Sequence, residues 1–423
     1  MKRNHAAFVM ALMLAIISSG AHPIPAQASA LQSGIGSMLE QIPLSAFKDG
    51  WLSYADVSVL IANTPGALEP GSAEAFERLK DTPEGSATLS AYMGLSSGPG
   101  DFYAHVTRSR EMLLSSGLDF FQVRRLIEAG VMPNRQIWLS GAFDREGLGK
   151  TLSGKGYLQI KDTMSKFEIW CKGGDITSGL KTDLLHRDPS FPFGGNLGRS
   201  WPVMLSDTLI GSTPDPQSVQ AAAGAAEPSL MSLGVLSDLI SAVSAEDTQD
   251  KNSLAQLYLL TPAAAGLDIP GLQESLGQTG PTQAGASSAD ASGQPLPAYS
   301  VLALAHLYSH GTQRVMAALS FPDGESAAAA EKVINTRLQK AVSLRTGDLL
   351  TDRVLAMGGR LEPLHITAGQ SGSRILLIPF SFPAQTAAES SGGPSSIPGR
   401  PFHFFTGLMM SRDLGWLTIG LPQ

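Results

Sequence analysis

A single cysteine in 423 residues excludes an intramolecular disulfide, so this chain must be held together by packing. Cys171 sits between Phe167-Glu168-Ile169-Trp170 and Lys172-Gly173-Gly174, the pattern of a strand running into a turn. No neighbour there would activate a thiolate, and the residue reads as a buried, inert small hydrophobe. Charge is scarce too. Only 16% of residues are charged against 43% hydrophobic, which excludes wholesale disorder and leaves enough apolar side chain for large cores. The net charge of -7 repels phosphate backbones and argues against a general nucleic-acid binder. Aromatics make up 7%, with no stripe of Trp and Tyr for stacking on sugars. Beyond the N-terminus no apolar run approaches the ~20 residues of a membrane-spanning helix; the apolar C-terminal tail is broken by Arg412 and Asp413.

What is present begins with an export signal. Lys2 and Arg3 give a basic start, Ala6 to Ile17 an apolar stretch, and Ala26-Gln27-Ala28 or Ala28-Ser29-Ala30 the small residues of a cleavage point. Cleavage near Ala28 or Ala30 is expected. It removes two basic residues and no acid, taking the charge from -7 to -9. No Cys follows the apolar stretch, so no lipid attachment at a new N-terminal Cys is expected. The mature chain is expected to be soluble, in the periplasm or outside the cell, with no integral membrane segment.

A mature chain of this length suggests two or three domains, since single cores stop growing near ~250 to 300 residues. Residues 277–297, rich in Gly, Ser, Ala, Gln and Pro, read as a linker between an N-terminal body, 31–276, and a C-terminal domain, 298–423. A similar stretch at 384–401 reads as a flexible loop inside the second unit, and Ser212 to Glu227 as a Pro/Ala segment with room for a short helix. Asp119 with Gln122 forms a capping-box pattern ahead of Val123, Leu126 and Ile127, which predicts a helix ending at Gly130. Gln136 to Phe143 reads as a strand, Asp144 as the cap of a helix, and Tyr157–Ile160 with Lys166–Cys171 as a hairpin. Ser86 to Met93 is weakly strand-like.

The C-terminal unit repeats this order. Ser300–Tyr308 and Gln313–Phe321 form a predicted hairpin, Asp323 caps a helix carrying Val333, Ile334 and Leu338, and Leu361–Ala368 pairs with Arg374–Phe382. Phe402–Met410 and Trp416–Leu421 read as a last strand pair. The fold class is therefore α+β, with mostly antiparallel sheets and helices packed on one face. Two explanations of the repeated order stay open: a duplicated α/β-sandwich (ferredoxin-like) unit, or the commonness of strand, Asp cap and helix as a local order.

Few residues are arranged for chemistry. Gly94-Leu95-Ser96-Ser97-Gly98 matches the nucleophile-elbow pattern, with Ser96 as the candidate nucleophile and His186 or His365 among the available bases. Pro99-Gly100 stands where the elbow's helix should begin, which favours a Gly/Ser loop. His306 and His310 have a metal-sharing spacing only on a helix, and the local pattern is a strand entering a turn. His105, His186, His365 and His403 are scattered, so no metal and no cofactor is expected. Gly194-Gly195-Asn196-Leu197-Gly198-Arg199-Ser200 resembles part of a phosphate loop but has Phe193 for the first glycine and Arg199 for the lysine. With Trp201 it is the best ligand-site candidate. Asp162, Glu168, Asp175 and Asp183 supply acids near Trp170 and Trp201, read as solubilising charges rather than a glycosidase pair. The leading functional expectation is a non-catalytic binding or interaction protein for another protein, an envelope component or a small ligand. The alternative is a secreted hydrolase acting through Ser96.

Overall fold

The computed structural model describes residues 34–95, 106–131, 134–160, 166–224, 227–246, 254–268, 295–309, 311–343, 346–384 and 399–419. Its centre is one antiparallel sheet of β1 (Trp51–Asp56), β2 (Val123–Ala129), β3 (Gln136–Gly141), β4 (Tyr157–Ile160), β5 (Glu168–Lys172), β6 (Val203–Leu205), β7 (Leu209–Ser212), β8 (Leu254–Leu260), β9 (Leu302–Ser309), β10 (Thr312–Phe321), β11 (Arg360–Leu361), β12 (His365–Ala368) and β13 (Arg374–Pro383). The order across it is β11-β13-β10-β9-β8-β1-β2-β3-β7-β6-β5-β4, with β12 also on β13. The expected α+β class is what the molecule adopts. The segment expected as a linker lies largely outside the described residues, and the strands on either side of it, β8 and β9, are hydrogen-bonded neighbours.

The helices are α1 (Gly34–Leu39), α2 (Val57–Ala62), α3 (Ala73–Leu79), α4 (Pro83–Met93), α5 (Ser109–Ser116), α6 (Arg145–Gly154), α7 (Pro216–Ala223), α8 (Gly234–Ala245), α9 (Gly324–Leu338), α10 (Leu350–Ala356) and α11 (Arg400–Met410). They cover both faces of the sheet rather than the single face expected. Strand side chains alternate between faces. On one face Leu52, Tyr54, Trp138, Leu257, Ala305 and Met316 form a core with α1, α7 and α8 that extends over both halves of the sheet. On the other, two cores lie side by side. Ala55, Leu126 and Leu139 pack under α2 to α6, and Leu304, Leu319 and Ile378 under α9, α10 and α11.

Two segments of the first half differ from expectation: Ser86 to Met93, weakly strand-like in sequence, lies in helix α4, and the helix expected after Asp119 is largely strand β2. Asp119 does cap, accepting from Phe121 N at 3.0 Å, but it starts only a 3-10 turn and also accepts from Ala73 N at the start of α3. Val123, Leu126 and Ile127 then belong to β2, where Leu126 faces one core and Ile127 the other. Their helical spacing arises because the adjacent Leu126 and Ile127 bury on opposite faces of the strand, which breaks the two-residue alternation and leaves Val123, Leu126 and Ile127 at helical intervals. Conversely, Phe402 to Met410 is helix α11, with Phe402, Phe405, Thr406 and Met409 buried at helical intervals; the run of aromatics had suggested a strand. Trp416 begins no strand and lies in a 3-10 turn. Asp144 and Asp323 cap α6 and α9 as expected, accepting from Gly147 N and Ser326 N. The short helix expected between Ser212 and Glu227 is α7.

Helix α8 is tied down at both ends. Asp238, 3% exposed, accepts from Gln370 N at 2.8 Å, Ser371 N at 3.1 Å and Ser373 Oγ at 2.6 Å, and from Ser371 Oγ, all in the turn joining β12 and β13. Past its C-terminus Glu246 meets Arg314 at 3.3 Å and His365 Nε2 at 2.7 Å, and Arg314 also reaches Glu362 at 2.8 Å.

Candidate functional site

The structure disperses most of the side chains singled out by sequence. Ser96, His105, Asp162 and His310 lie outside the described residues. Gly94 and Leu95 follow helix α4, so the chain enters the Gly94 motif from a helix, whereas an elbow requires entry from a strand. Cys171 is fully buried, and burial pushes its thiol up to about 12, as an inert core residue requires. His365 belongs to the α8 tether. Glu168 pairs with Arg145, Asp175 with Lys181 at 2.8 Å, and Asp183 with His186 at 2.7 Å. The Lys181 and Thr177 hydrogen bonds hold the Asp175 carboxyl down at about 2. Among the described residues no group of three His, Cys, Asp or Glu could hold a metal ion.

The loop around Gly194 is a closed turn rather than a cradle. Gly194 and Gly198 both take positive φ, and a 3-10 turn joins them. Arg187 donates from Nε to the Asn196 carbonyl at 2.7 Å, Asp183 N donates to the Gly198 carbonyl, and Arg199 Nε reaches Thr182 Oγ1 at 3.1 Å. Trp201 is buried with Phe191, Phe193 and Tyr157 in the core below, and Tyr157 donates to the Trp201 carbonyl at 3.2 Å. This framework leaves the segment outside it, 180–187, in water. Every residue from 180 to 187 is exposed, including Leu180 at 52%, Leu184 at 64% and Leu185 at 93%. Lys181, His186 and Arg187 stand among these leucines. The free edge of the sheet, β4, also carries an exposed leucine, Leu158, against Gly174.

One constellation had no sequence motif. Gln256 on β8, His306 on β9 and Gln313 on β10 meet on one face of the sheet, where the two side-by-side cores abut: Leu304 belongs to one and Tyr308 to the other. His306 is fully buried, stacked on Phe402 of α11 at 5.2 Å between ring centroids and tilted against Tyr308 at 4.6 Å. Its Nε2 lies 3.3 Å from Gln313 Oε1 and its Nδ1 3.5 Å from Gln256 Nε2. Gln313 Nε2 donates on to the Pro383 carbonyl at 3.3 Å and Gln256 Nε2 to the Gly94 carbonyl at 3.0 Å. Gly399, at positive φ, lets the start of α11 approach, since a Cβ there would stand 3.0 Å from His306 Cε1. His403, one residue beyond Phe402, hydrogen-bonds the Gly94 backbone, and its buried Nε2 has no partner among the described residues. The sequence signal for this knot was a lone polar residue inside each of two apolar strands, Gln256 in Leu-Ala-Gln-Leu-Tyr and His306 in Leu-Ala-His-Leu-Tyr.

No family model matches the chain, and no curated protein matches it. Among solved structures it is similar to three crystal forms of TP0453. Form III gives a TM-score of 0.28 at 7% identity, covering 81% of this chain and 94% of that one. Form I gives 0.28 at 8%, covering 87% and 98%, and form IV 0.30 at 9%, covering 86% and 96%. At these TM-scores the likeness carries no conclusion about this chain. No helix among the described residues is long and apolar enough to cross a membrane.

Proposed function

We propose that this chain is an exported, non-catalytic binding or interaction protein of the bacterial periplasm or exterior, and that its contact surface is the exposed segment 180–187. The observation that carries this reading is the exposure of Leu180, Leu184 and Leu185 on a loop tied to the Gly194 turn behind it by Asp183 N on the Gly198 carbonyl and Arg187 Nε on the Asn196 carbonyl. Exposed leucines on a pre-formed frame lose little entropy on binding and bury apolar area against a partner. Clustered exposed apolar side chains mark interaction sites, whereas scattered single ones do not. The reading also accounts for the chemistry-bearing side chains that are given over to structure: Cys171 in the core, His306 in a hydrogen-bonded knot, and His365 in the α8 tether.

The test is capture by immobilised mature protein from an envelope extract, with Leu184→Ser/Leu185→Ser alongside. A component retained by the wild type and lost by the double variant supports the proposal; equal retention by both removes the 180–187 surface from it. A broad esterase screen with Ser96→Ala as control addresses the hydrolase alternative. Turnover abolished by that substitution would replace the binding reading.

A further inference from the structure

We propose that the knot of Gln256, His306, Gln313 and His403 is an acid-sensitive latch, in which a second proton on His306 releases helix α11 and the end of α4 from the sheet while the sheet stays folded. Backbone carbonyls orient both amides: Gln313 Nε2 donates to the Pro383 carbonyl, which leaves Gln313 Oε1 toward His306, and Gln256 Nε2 donates to the Gly94 carbonyl, which His403 also reaches. His306 is then neutral with its proton on Nε2, donating to Gln313, and with Nδ1 turned to an amide that also donates. A proton on Nδ1 would set donor against donor. Turning the Gln256 amide over to accept it would set Oε1 against the Gly94 carbonyl. Neither arrangement keeps every hydrogen bond.

Among the described residues no carboxylate compensates the charge. The groups facing His306 are Gln256 from β8, Tyr308 on β9 itself, Gln313 from β10, and Phe402 and His403 from α11, with Gly94 at the end of α4. Of these Tyr308 and His403 titrate. Burial keeps the Tyr308 hydroxyl protonated, and His403 opposes a charge on His306. Burial is the largest influence on His306, lowering it from 6.5 to about 3, only partly offset by the Gln313 hydrogen bond; burial also lowers His403. Between those limits the open state takes up a proton that the closed state refuses, so the closed state loses ground as pH falls below 6.5 and is unaffected above it. For His306 alone the shift at pH 5 is about 30-fold in favour of opening. The strands bearing the knot are anchored on the opposite face by the core shared with α8, whereas α11 rests on this face only, so the helix is what opens.

Hydrogen exchange of the mature chain at pH 7 and pH 5, corrected for the intrinsic pH dependence, tests this. Peptides from 399–410 are expected to lose about 30-fold in protection at pH 5 while 302–321 keep theirs. His306→Gln offers one donor and one acceptor without a titrating proton and should remove most of the pH difference, leaving the smaller share of buried His403; His403→Gln should remove that share and leave the larger one. Nitrogen chemical shifts of the His306 ring supply a second measurement, expected to report a neutral Nε2-protonated ring at pH 7. Protection in 399–410 that does not change with pH, the same acid loss in both variants, or simultaneous loss across 302–321 would each overturn the latch.

Discussion

Replacing Asp238 by Ala removes one carboxylate and strands four donors at once: the amides of Gln370 and Ser371 and the hydroxyls of Ser371 and Ser373. No cation accompanies the carboxylate among these contacts, so the turn between β12 and β13 is its solvation shell. A hydrogen bond to a charged group contributes about 1.5 to 3 kcal/mol, which for four would give an upper bound far above what the site returns. Ser371 and Gln370 are exposed and Ser373 half-buried, so these donors regain water once the carboxylate is gone. The expected loss is therefore about 2 to 4 kcal/mol, read as a lowered urea midpoint at unchanged slope. Asp238→Asn separates charge from shape. Its oxygen still serves Gln370 N and, at 3.2 Å, Ser371 N, while the serine hydroxyls turn to accept from the new NH2; the loss should be smaller, about 1 to 2 kcal/mol. Gly369→Ala attacks the same clasp from the other side, because a Cβ there meets the Asp238 carboxyl and Ser373 Oγ. An Asp238→Ala midpoint within about 0.5 kcal/mol of wild type would refute the idea that the turn holds α8 through this residue.

Gly211→Ala on β7 places a methyl against the fully buried Trp138 ring, 2.6 Å from Cε3 and 2.8 Å from Cη2, and should lower stability by about 1 to 3 kcal/mol in thermal unfolding. Leu185→Ser, at 93% exposure, should leave the unfolding midpoint within about 0.5 kcal/mol of wild type while weakening partner capture. Cys171, buried and shifted up to about 12, should resist a thiol reagent at pH 8 in the folded protein and react at once in urea. His306→Gln should flatten the fall in stability between pH 6.5 and pH 4, because the wild-type residue destabilises the fold only where its unfolded form is protonated and its folded form is not.

The strands and caps that carried plain local chemistry were legible in the sequence. The β9–β10 hairpin around Gly311, the Asp144 and Asp323 caps, and the β4–β5 pair all appear where their patterns put them. Reading failed where burial on two faces erased the period. β2 spelled a helix because both of its faces are inside, and α11 spelled a strand because Phe402, Phe404 and Phe405 outweighed its helical spacing. The site was less legible still. His306 and His403 stand nearly a hundred residues apart and meet Gln256 and Gly94 only through strand order, which no short pattern encodes. The exposed leucines of 180–187 read like any loop, since apolar residues in a sequence do not announce that they face water.

The strand order also sets a timetable for folding. β1 and β8 lie side by side at the middle of the sheet, yet Leu52 and Leu259, which face each other across that seam, are about 200 residues apart in the chain. The β2–β3 and β9–β10 hairpins, one on each flank, close over short loops and have no need to wait. The seam does, because its loop-closure entropy must be met before any contact rewards it. Until β8 arrives, β1 presents an unpaired edge of apolar strand, a surface prone to pairing with other molecules. Slow joining of two early-formed halves, with aggregation competing at that single step, is the kinetic signature this topology imposes.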